Sequence, residues 1–379
     1  MRRLDKGLLL ALFTLIGIGL VQVYSSSFIY SIEAEARGDG LYFFERQLGF
    51  ALFGLCLLFV TTWIPYRVIR RWGWILWICS GVAVACTFVP GLGVSAGGAQ
   101  RWLNLFHHYV FEPSELLKVS FSLMLATFFS MNMESLGAIR WPVILTCFGV
   151  PLVLVLNQPD FGTFAMLLVV FAGVLFAFGL RWKYIITAAT VSVPVFIMLI
   201  WNKPYRRARL MAFLDPWSDP EVKGFQIIQS MLSFHSGGLA GVGLGQGQGK
   251  LFFLPEAHTD FTLAVLGEEM GFLGFLGVLS LYGYLVFRGI QIAARVEDRF
   301  SRVLALSLVL TFALSVFINV GVVLGLLPTK GLTLPFLSYG GSSLLMNCFL
   351  FGLLLNVERN RLLEAEDRKP VSSKKRSYI

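Results

Sequence analysis

The sequence has few charged residues. Only 14% of its 379 residues are Asp, Glu, Lys or Arg, while 56% are hydrophobic and the mean hydropathy is +0.73. A soluble domain contains about 25% charged and roughly 45–50% apolar residues. The composition therefore excludes a large soluble domain. It indicates a polytopic membrane protein, because one helical crossing requires ~20 mainly apolar residues.

Cysteine and histidine are also scarce, with five and four residues respectively. The cysteines lie in apolar stretches without a CxxC motif or a nearby pair of histidines, which argues against disulfides and a structural zinc site. The net charge of +9 is explained more simply by orientation in a membrane than by nucleic-acid binding. No nucleic-acid partner is predicted.

Ten apolar runs predict a bundle of about ten transmembrane helices in residues 1–360, an all-α fold. The runs lie near residues 7–24, 47–65, 73–90, 116–131, 142–157, 163–180, 184–201, 262–287, 303–325 and 343–357. Lys and Arg are more frequent on the side of the two termini, so both termini are predicted to be cytoplasmic. The charged residues 361–379 are predicted to form a disordered cytoplasmic tail.

One long extracytoplasmic loop is predicted at about residues 202–261. Within it, the apolar residues of 224–235 recur at helical spacing, which predicts a short amphipathic helix at the membrane interface. Gly237 and Gly238 would end this helix. The glycine-rich run 237–249 does not have the spacing of a nucleotide-binding loop, and we interpret it as a flexible hinge.

Ionisable residues gather at the predicted outer ends of the helices. Asp260 lies in the sequence LPEAHTDF (254–261) with Glu256 and His258, and Glu268 and Glu269 follow about two helical turns later. Burial raises the pKa of a carboxyl group, so such a residue can act as a base near neutral pH. This pattern predicts a functional role for Asp260.

Other polar residues at the same side have a functional and a structural interpretation. Glu115 and Lys118 share a helix face, so they could form no more than an ion pair. Asp160 could serve only as the N-cap of the helix that contains Thr163. Arg101, in GGAQRWLNL (97–105), could be a surface residue.

Two serines, Ser342 and Ser343, follow two glycines in LTLPFLSYGGSSLL (332–345), at a predicted helix N-terminus. Free backbone N–H groups and the helix dipole suit such a position to a phosphate or another anion. The alternative is a close helix crossing that small residues allow.

Eight motifs in this order resemble the family of shape, elongation, division and sporulation proteins, membrane glycosyltransferases that polymerise lipid II into peptidoglycan. The motifs are VYSSS (23–27), GGAQRWL (97–103), EPSELLK (112–118), NQPDFGT (157–163), YRRARLMAFLDPWSDP (205–220), GFQIIQS (224–230), LPEAHTDF (254–261) and LPTKGLTLPFLSYGGSS (327–343). The TKG sequence in the last motif is more similar to the cell-division members than to the elongation members. Glu112 stands where the family usually has Gln.

The resemblance implies a transferase at the outer face of the cytoplasmic (inner) membrane, at the division septum, with Asp260 as the essential carboxylate. It also implies a divalent cation, Mg²⁺ or Mn²⁺, and a class B penicillin-binding protein as the transpeptidase partner, among other division proteins of the membrane. An elongation-type polymerase, a lipid II flippase and a scaffold for the division machinery remain alternatives.

On this hypothesis, Asp260 is the general base, and Asp260 and Glu115 are the predicted metal ligands. A larger set of polar residues is predicted to bind the substrate. Its members are Arg101, Glu115, Lys118, Asp160, Arg206, Arg207, Arg209, Lys250, His258, Ser342 and Ser343.

Overall fold

A computed structural model describes residues 4–34, 39–96, 99–106, 109–131, 142, 145–201, 204–221, 224–329 and 331–367. The helices in these ranges are α1 (Lys6–Ala34), α2 (Tyr42–Trp63), α3 (Tyr66–Cys86), α4 (Pro113–Ser130), α5 (Val150–Asn157), α6 (Phe161–Ala177), α7 (Trp182–Trp201), α8 (Pro204–Leu214), α9 (Phe225–Gly237), α10 (Thr262–Arg295), α11 (Arg299–Val323) and α12 (Gly341–Asp367). A π-helical turn, Leu145–Gly149, precedes α5, and another, Gly249–Phe253, lies between α9 and α10.

The helices confirm the predicted fold class. Six of them, α1, α2, α3, α10, α11 and α12, are long and apolar enough to cross a membrane, and α5 and α6 belong to shorter apolar helices. Within the described residues, each of the ten predicted spans contains helical structure. The chain is therefore a multi-pass membrane protein. At its centre, α11 packs against α4, α6, α10 and α12, with Phe300 and Phe312 fully buried.

A small sheet was not predicted. The strands β1 (Gly93–Ala96), β2 (Ala99–Phe106) and β3 (Tyr109–Phe111) pair antiparallel in the order β1-β2-β3 between α3 and α4. Runs this short and interrupted show no clear alternation of polar and apolar residues, which is the usual signal of a strand. The sheet is important for the site because β2 carries Arg101.

The last helix extends further than predicted. Helix α12 continues to Asp367, so the predicted disorder does not begin at residue 361. Arg361 Nη2 lies 2.7 Å from Glu358 Oε1, one turn earlier, and this pair supports the last turns of the helix. Residues 368–379 of the predicted tail lie outside the described residues.

The segment predicted as one long loop contains helices. Helix α8, a short 3₁₀ turn (Pro216–Ser218) and α9 occupy much of residues 204–237. Helix α9 confirms the predicted short helix and ends at Gly237. Ile227 and Ile228 are buried on the side that faces α10 and α11, while Leu232 is exposed, so the helix is amphipathic.

Helix α10 is broken at Gly271, whose φ is 67° and ψ −168°. A break inside a membrane-spanning helix frees backbone groups that lipid cannot satisfy. Residues 238–243 supply their partners. The N–H groups of Val242 and Gly243 donate to the carbonyl oxygens of Glu268 and Glu269, at 3.0 Å each. In the other direction, the N–H groups of Phe272 and Leu273 donate to the carbonyl oxygens of Gly238 and Leu239, at 2.9 and 3.1 Å. The first part of the run predicted as a flexible hinge, residues 238–243, is therefore hydrogen-bonded to α10.

The close approach of the two segments requires glycine. A Cβ atom on Gly237 would overlap the carbonyl oxygen of Gly267, and one on Gly241 would overlap that of Glu269. Gly241 also has a φ of +83°, which side chains with a Cβ rarely adopt. The glycines thus allow the run to lie against α10.

Replacement of Gly237 by Ala is expected to destabilise the protein by about 1–3 kcal/mol, because the added methyl group must displace the backbone of α10. Gly277→Ala, in α10, is the control, since a Cβ there has no atom within 4 Å. The control should lie within about 1 kcal/mol of the wild type. Thermal unfolding in detergent measures both, and equal melting temperatures for the two variants would contradict the close contact.

Candidate active site

Asp260 lies in a tight turn immediately before α10. Glu256 has a φ of 56°, unusual for a residue other than glycine, and its carbonyl oxygen accepts the N–H groups of Thr259 and Phe261, both at 3.2 Å. Asn319 Nδ2, from α11, donates to the carbonyl oxygen of Asp260 at 3.1 Å. The backbone at Asp260 is thus fixed from both sides.

Arg101 faces Asp260 across Gly331. A Cβ atom on Gly331 would lie 3.3 Å from Asp260 Oδ2 and 3.9 Å from Arg101 Nη1, so the two side chains meet beside this glycine. Arg101 Nη2 donates to the carbonyl oxygen of Pro159 at 2.8 Å, and its Nη1 is 4.0 Å from Asp160 Oδ1. Four distant segments of the chain therefore converge on one site.

Two polar atoms of this site are buried without a hydrogen-bond partner among the described residues, Arg101 Nε and Asp160 Oδ2. Such orphan groups are rare in proteins, since each costs free energy when it is left unpaired. A donor and an acceptor are thus available to a polar ligand. Arg209 also reaches this region, where its Nη1 donates to the carbonyl oxygen of Thr329 at 3.1 Å.

The environment shifts the pKa of Asp260. Burial raises it to about 7, and the negative charge of Glu256 adds to this effect, while the guanidinium groups of Arg209 and Arg101 oppose it. The carboxyl group therefore changes its protonation state close to neutral pH. A base with a pKa near the working pH is well suited to proton transfer.

Glu115, Lys118 and Asp160 take the structural roles that the sequence left open. Lys118 Nζ is 2.6 Å from Glu115 Oε1, and both side chains are buried. Asp160 Oδ1 accepts the N–H of Thr163 at 3.2 Å and so caps α6. These roles leave Asp160 Oδ2 available, so they do not exclude contact with a ligand.

Glu112 is a site residue that the sequence analysis did not include. Its pKa is raised to about 8 by burial first, then by the negative charges of Glu115 and Asp160. At neutral pH the protonated acid can donate and accept a hydrogen bond, as the amide of the usual Gln would. Its backbone N–H donates to Ser342 Oγ at 3.0 Å, which brings the start of α12 to the site. The presence of Glu at position 112, where the family usually has Gln, was the feature of the sequence that could have identified this residue.

His258 and Ser343 each contact neighbouring residues of the bundle, and their predicted contacts with substrate stay predictions. The ring of His258 stacks on Tyr30 with a centroid distance of 5.1 Å, and burial lowers its pKa although Glu256 opposes this effect. Its carbonyl oxygen accepts the N–H of Tyr339 at 2.9 Å. Ser343 Oγ accepts Nδ2 of Asn347 within α12.

Lys250 has its polar contacts elsewhere. Its Nζ lies 2.7 Å from Glu269 Oε1 and 3.1 Å from Ser25 Oγ, so it joins α10 to α1. Neither partner belongs to the group around Asp260 and Arg101. Arg207 is exposed on α8, and the side chain of Arg206 lies outside the described residues.

The predicted metal ligands do not form a protein cage. Among the residues that the structure describes, no group of three or more His, Cys, Asp or Glu is arranged to hold a metal ion. Glu115 already pairs with Lys118. The donor set would suit a divalent cation that takes most of its ligands from water and substrate phosphates, as Mg²⁺ commonly does.

Residues 6–362 match the family described as "Cell cycle protein", whose model covers FtsW, RodA and SpoVE. The chain belongs to this family. It is 43% identical over 344 residues to the probable peptidoglycan glycosyltransferase FtsW of Geobacter sp. (strain M18), with 89% of this chain and 92% of the relative covered. It is 36% identical to stage V sporulation protein E of Bacillus subtilis (strain 168), with 94% and 98% covered.

Two solved structures are similar to this chain. A chain of a peptidoglycan synthase complex, described for its coordination of polymerization and crosslinking, has a TM-score of 0.76 and 28% identity, with 94% of this chain and 98% of that chain covered. The rod shape determining protein RodA of Thermus thermophilus has a TM-score of 0.69 and 26% identity, with 94% and 97% covered. The bundle is thus the family fold.

Replacement of Lys250 by Met is expected to leave the buried Glu269 carboxylate without its counter-ion, which costs about 3–5 kcal/mol. The double variant Lys250→Met/Glu269→Gln removes both charges and should recover most of this stability. Thermal unfolding in detergent measures the difference. If Lys250 serves only to bind substrate, the single variant will unfold like the wild type, and the structural role will be refuted.

Proposed function

We propose that this chain is a peptidoglycan glycosyltransferase that polymerises lipid II, a disaccharide-peptide linked to undecaprenyl pyrophosphate, during septal wall synthesis. The family and the names of its FtsW relatives support this assignment. The observation that carries it is the partly desolvated Asp260 carboxyl beside Arg101 and Arg209, with a pKa of about 7. This is the arrangement that a glycosyl transfer with a diphosphate leaving group needs.

In the proposed reaction, Asp260 accepts the proton of the 4-hydroxyl group of the acceptor sugar. The oxygen of that hydroxyl forms a bond to C1 of the donor sugar. The bond between C1 and the phosphate oxygen breaks, and undecaprenyl pyrophosphate leaves with the electron pair. General-base assistance of this kind contributes ~10²–10⁴-fold to the rate.

The positive groups stabilise the leaving diphosphate. Arg101 has an unpaired buried Nε–H donor, and Arg209 lies close enough to Asp260 to influence its pKa. Guanidinium groups bind phosphate oxygens through strong charge-assisted hydrogen bonds, and these act most strongly where water is excluded. Contributions from Arg206, Arg207 and Lys250 stay predictions, as do substrate contacts of Ser342 and Ser343.

The divalent cation also stays a prediction, with Asp260 and Glu115 as its protein ligands. When bound, Mg²⁺ or Mn²⁺ would neutralise part of the charge of the diphosphate. The residues of the chain itself supply the base and the cationic groups, and none of the steps above depends on the metal.

We propose that both termini are cytoplasmic, because the distribution of Lys and Arg favours this orientation, and Asp260 would then lie at the outer face. A class B penicillin-binding protein is the proposed partner, which the similarity to a chain of a peptidoglycan synthase complex supports. The names of the FtsW relatives favour the division septum, with other division proteins as further partners. An elongation-type role is the alternative, given the similarity to RodA.

Replacement of Asp260 by Asn should reduce polymerisation of labelled lipid II at least about 100-fold, because the amide cannot accept the proton. The assay uses the purified protein with its transpeptidase, and Asp39→Asn, at an exposed position before α2, is the matched control. A correctly folded Asp260→Asn protein that polymerises at the wild-type rate would refute the assignment.

The same variant separates the alternatives. A flippase would move labelled lipid II across reconstituted vesicles without a polymer product. A scaffold would support division with Asn at position 260. If the wild-type protein does not polymerise lipid II, transport in the vesicles would identify a flippase. Division supported by the Asp260→Asn protein would then identify a scaffold.

The polymerisation rate should rise with pH through about 7, because only the ionised form of Asp260 accepts a proton. Glu256→Gln removes the neighbouring negative charge. The amide oxygen can still accept the hydrogen bond from Thr259 Oγ1, which lies 2.8 Å from Glu256 Oε2 in the wild type. The pKa of Asp260 should fall, and the midpoint of the rate profile should shift to lower pH. An unchanged midpoint in this variant would show that the profile reports another group.

A further inference from the structure

Two adjacent acids of α10 hold the segment that leads to Asp260. Glu268 Oε1 accepts the N–H of Gln248 at 2.8 Å, and Glu268 Oε2 accepts that of Gly249 at 3.1 Å. Glu269 Oε1 accepts Lys250 Nζ at 2.7 Å. The reaction described above uses neither carboxylate, although both side chains are buried in the bundle.

Burial of these carboxylates requires compensation. An ionisable group in a membrane-spanning helix is costly unless a partner satisfies it. The partners of Glu268 are backbone N–H groups, which form charge-assisted hydrogen bonds with a carboxylate. The glycines allow this approach, since a Cβ on Gly247 would lie 3.1 Å from Glu268 Oε2 and one on Gly249 would lie 2.9 Å from it.

These bonds close a loop around Asp260. From Lys250 the chain makes a π-helical turn, in which the N–H of Leu254 donates to the carbonyl oxygen of Gly249 at 2.8 Å. It then passes Asp260, enters α10 at Thr262 and returns to Glu268 within two helical turns. Glu268 therefore ties the two ends of the loop together, with Asp260 between them.

A second contact supports the same segment from α1. Ser25 Oγ donates to Glu269 Oε1 at 2.6 Å and accepts Lys250 Nζ at 3.1 Å. Glu269 and Lys250 thus fix the segment to α1, while Glu268 fixes its backbone to α10. Of the two acids, only Glu268 acts on the backbone itself.

We infer that Glu268 is a positioning residue for glycosyl transfer, because its bonds to Gln248 and Gly249 hold the loop that places Asp260 against Arg101. This inference rests on the proposed function of Asp260. A misplacement of about 1 Å can cost roughly 100-fold in rate, so the restraint matters even though Glu268 does not touch the reacting atoms.

The test is Glu268→Gln, which replaces one acceptor oxygen by an NH₂ group that faces backbone donors. The value of kcat for lipid II polymerisation should fall roughly 10- to 100-fold, and KM should stay within about threefold of the wild type. The midpoint of the pH profile should also move, because Asp260 changes its distance from Glu256, Arg209 and Arg101. Glu268→Asp restores the carboxylate and should recover part of kcat.

The matched control is Glu358→Gln, which removes a buried acid paired with Arg361 in α12. It should leave kcat per folded molecule and the pH midpoint unchanged. If Glu268→Gln lowers only the melting temperature, with wild-type kcat and midpoint, Glu268 is structural and the inference is overturned. If Glu268→Gln does not fold, the same readouts on Glu268→Asp decide, and wild-type values overturn the inference.

Failure of the proposed function is visible separately in this assay. An Asp260→Asn protein that keeps polymerising would remove the role of Asp260, whatever Glu268 does. An inactive Asp260→Asn protein together with an unaffected Glu268→Gln protein would reject the positioning role alone.

Discussion

The backbone pairing between the break in α10 and the glycine-rich segment 238–243 is the constraint on which the site depends. Lipid offers no hydrogen bonds, so the groups freed at Gly271 need protein partners. The glycines allow the backbone of residues 238–243 to approach α10 closely enough to form these hydrogen bonds. Once this segment is fixed, the side chains of Glu268 and Glu269 can hold residues 248–250, and the turn with Asp260 acquires a defined position.

The position of Asp260 determines the pKa of its carboxyl group, and the proposed chemistry depends on this pKa. Asp260 is partly removed from water and lies near Glu256, so its carboxyl group binds a proton more tightly than usual, while two arginines limit this effect. Burial and the negative charges of Glu115 and Asp160 raise the pKa of Glu112 to about 8, so the acid can replace Gln as a hydrogen-bonding group. Burial thus raises the pKa of both acids, and the two arginines beside Asp260 are available to a diphosphate.

Local features were predictable from the sequence, and long-range contacts were not. The apolar runs predicted the helices, and local spacing offered an ion pair of Glu115 with Lys118 and an N-cap at Asp160 as alternatives to substrate binding, both of which the structure contains. The approach of Arg101 to Asp260 could not be predicted, because it depends on an unpredicted sheet and on Gly331. The pairing of Lys250 with Glu269, 19 residues away, is another long-range contact that the sequence did not predict.

The central claim is that desolvation makes Asp260 a base near neutral pH. Infrared difference spectroscopy of the purified protein, with Asp260→Asn as the reference, measures its protonation directly. We expect a carboxylic acid band assigned to Asp260 that disappears as the pH rises, with a midpoint at about pH 7. A midpoint near pH 4, the ordinary value for Asp, would contradict it.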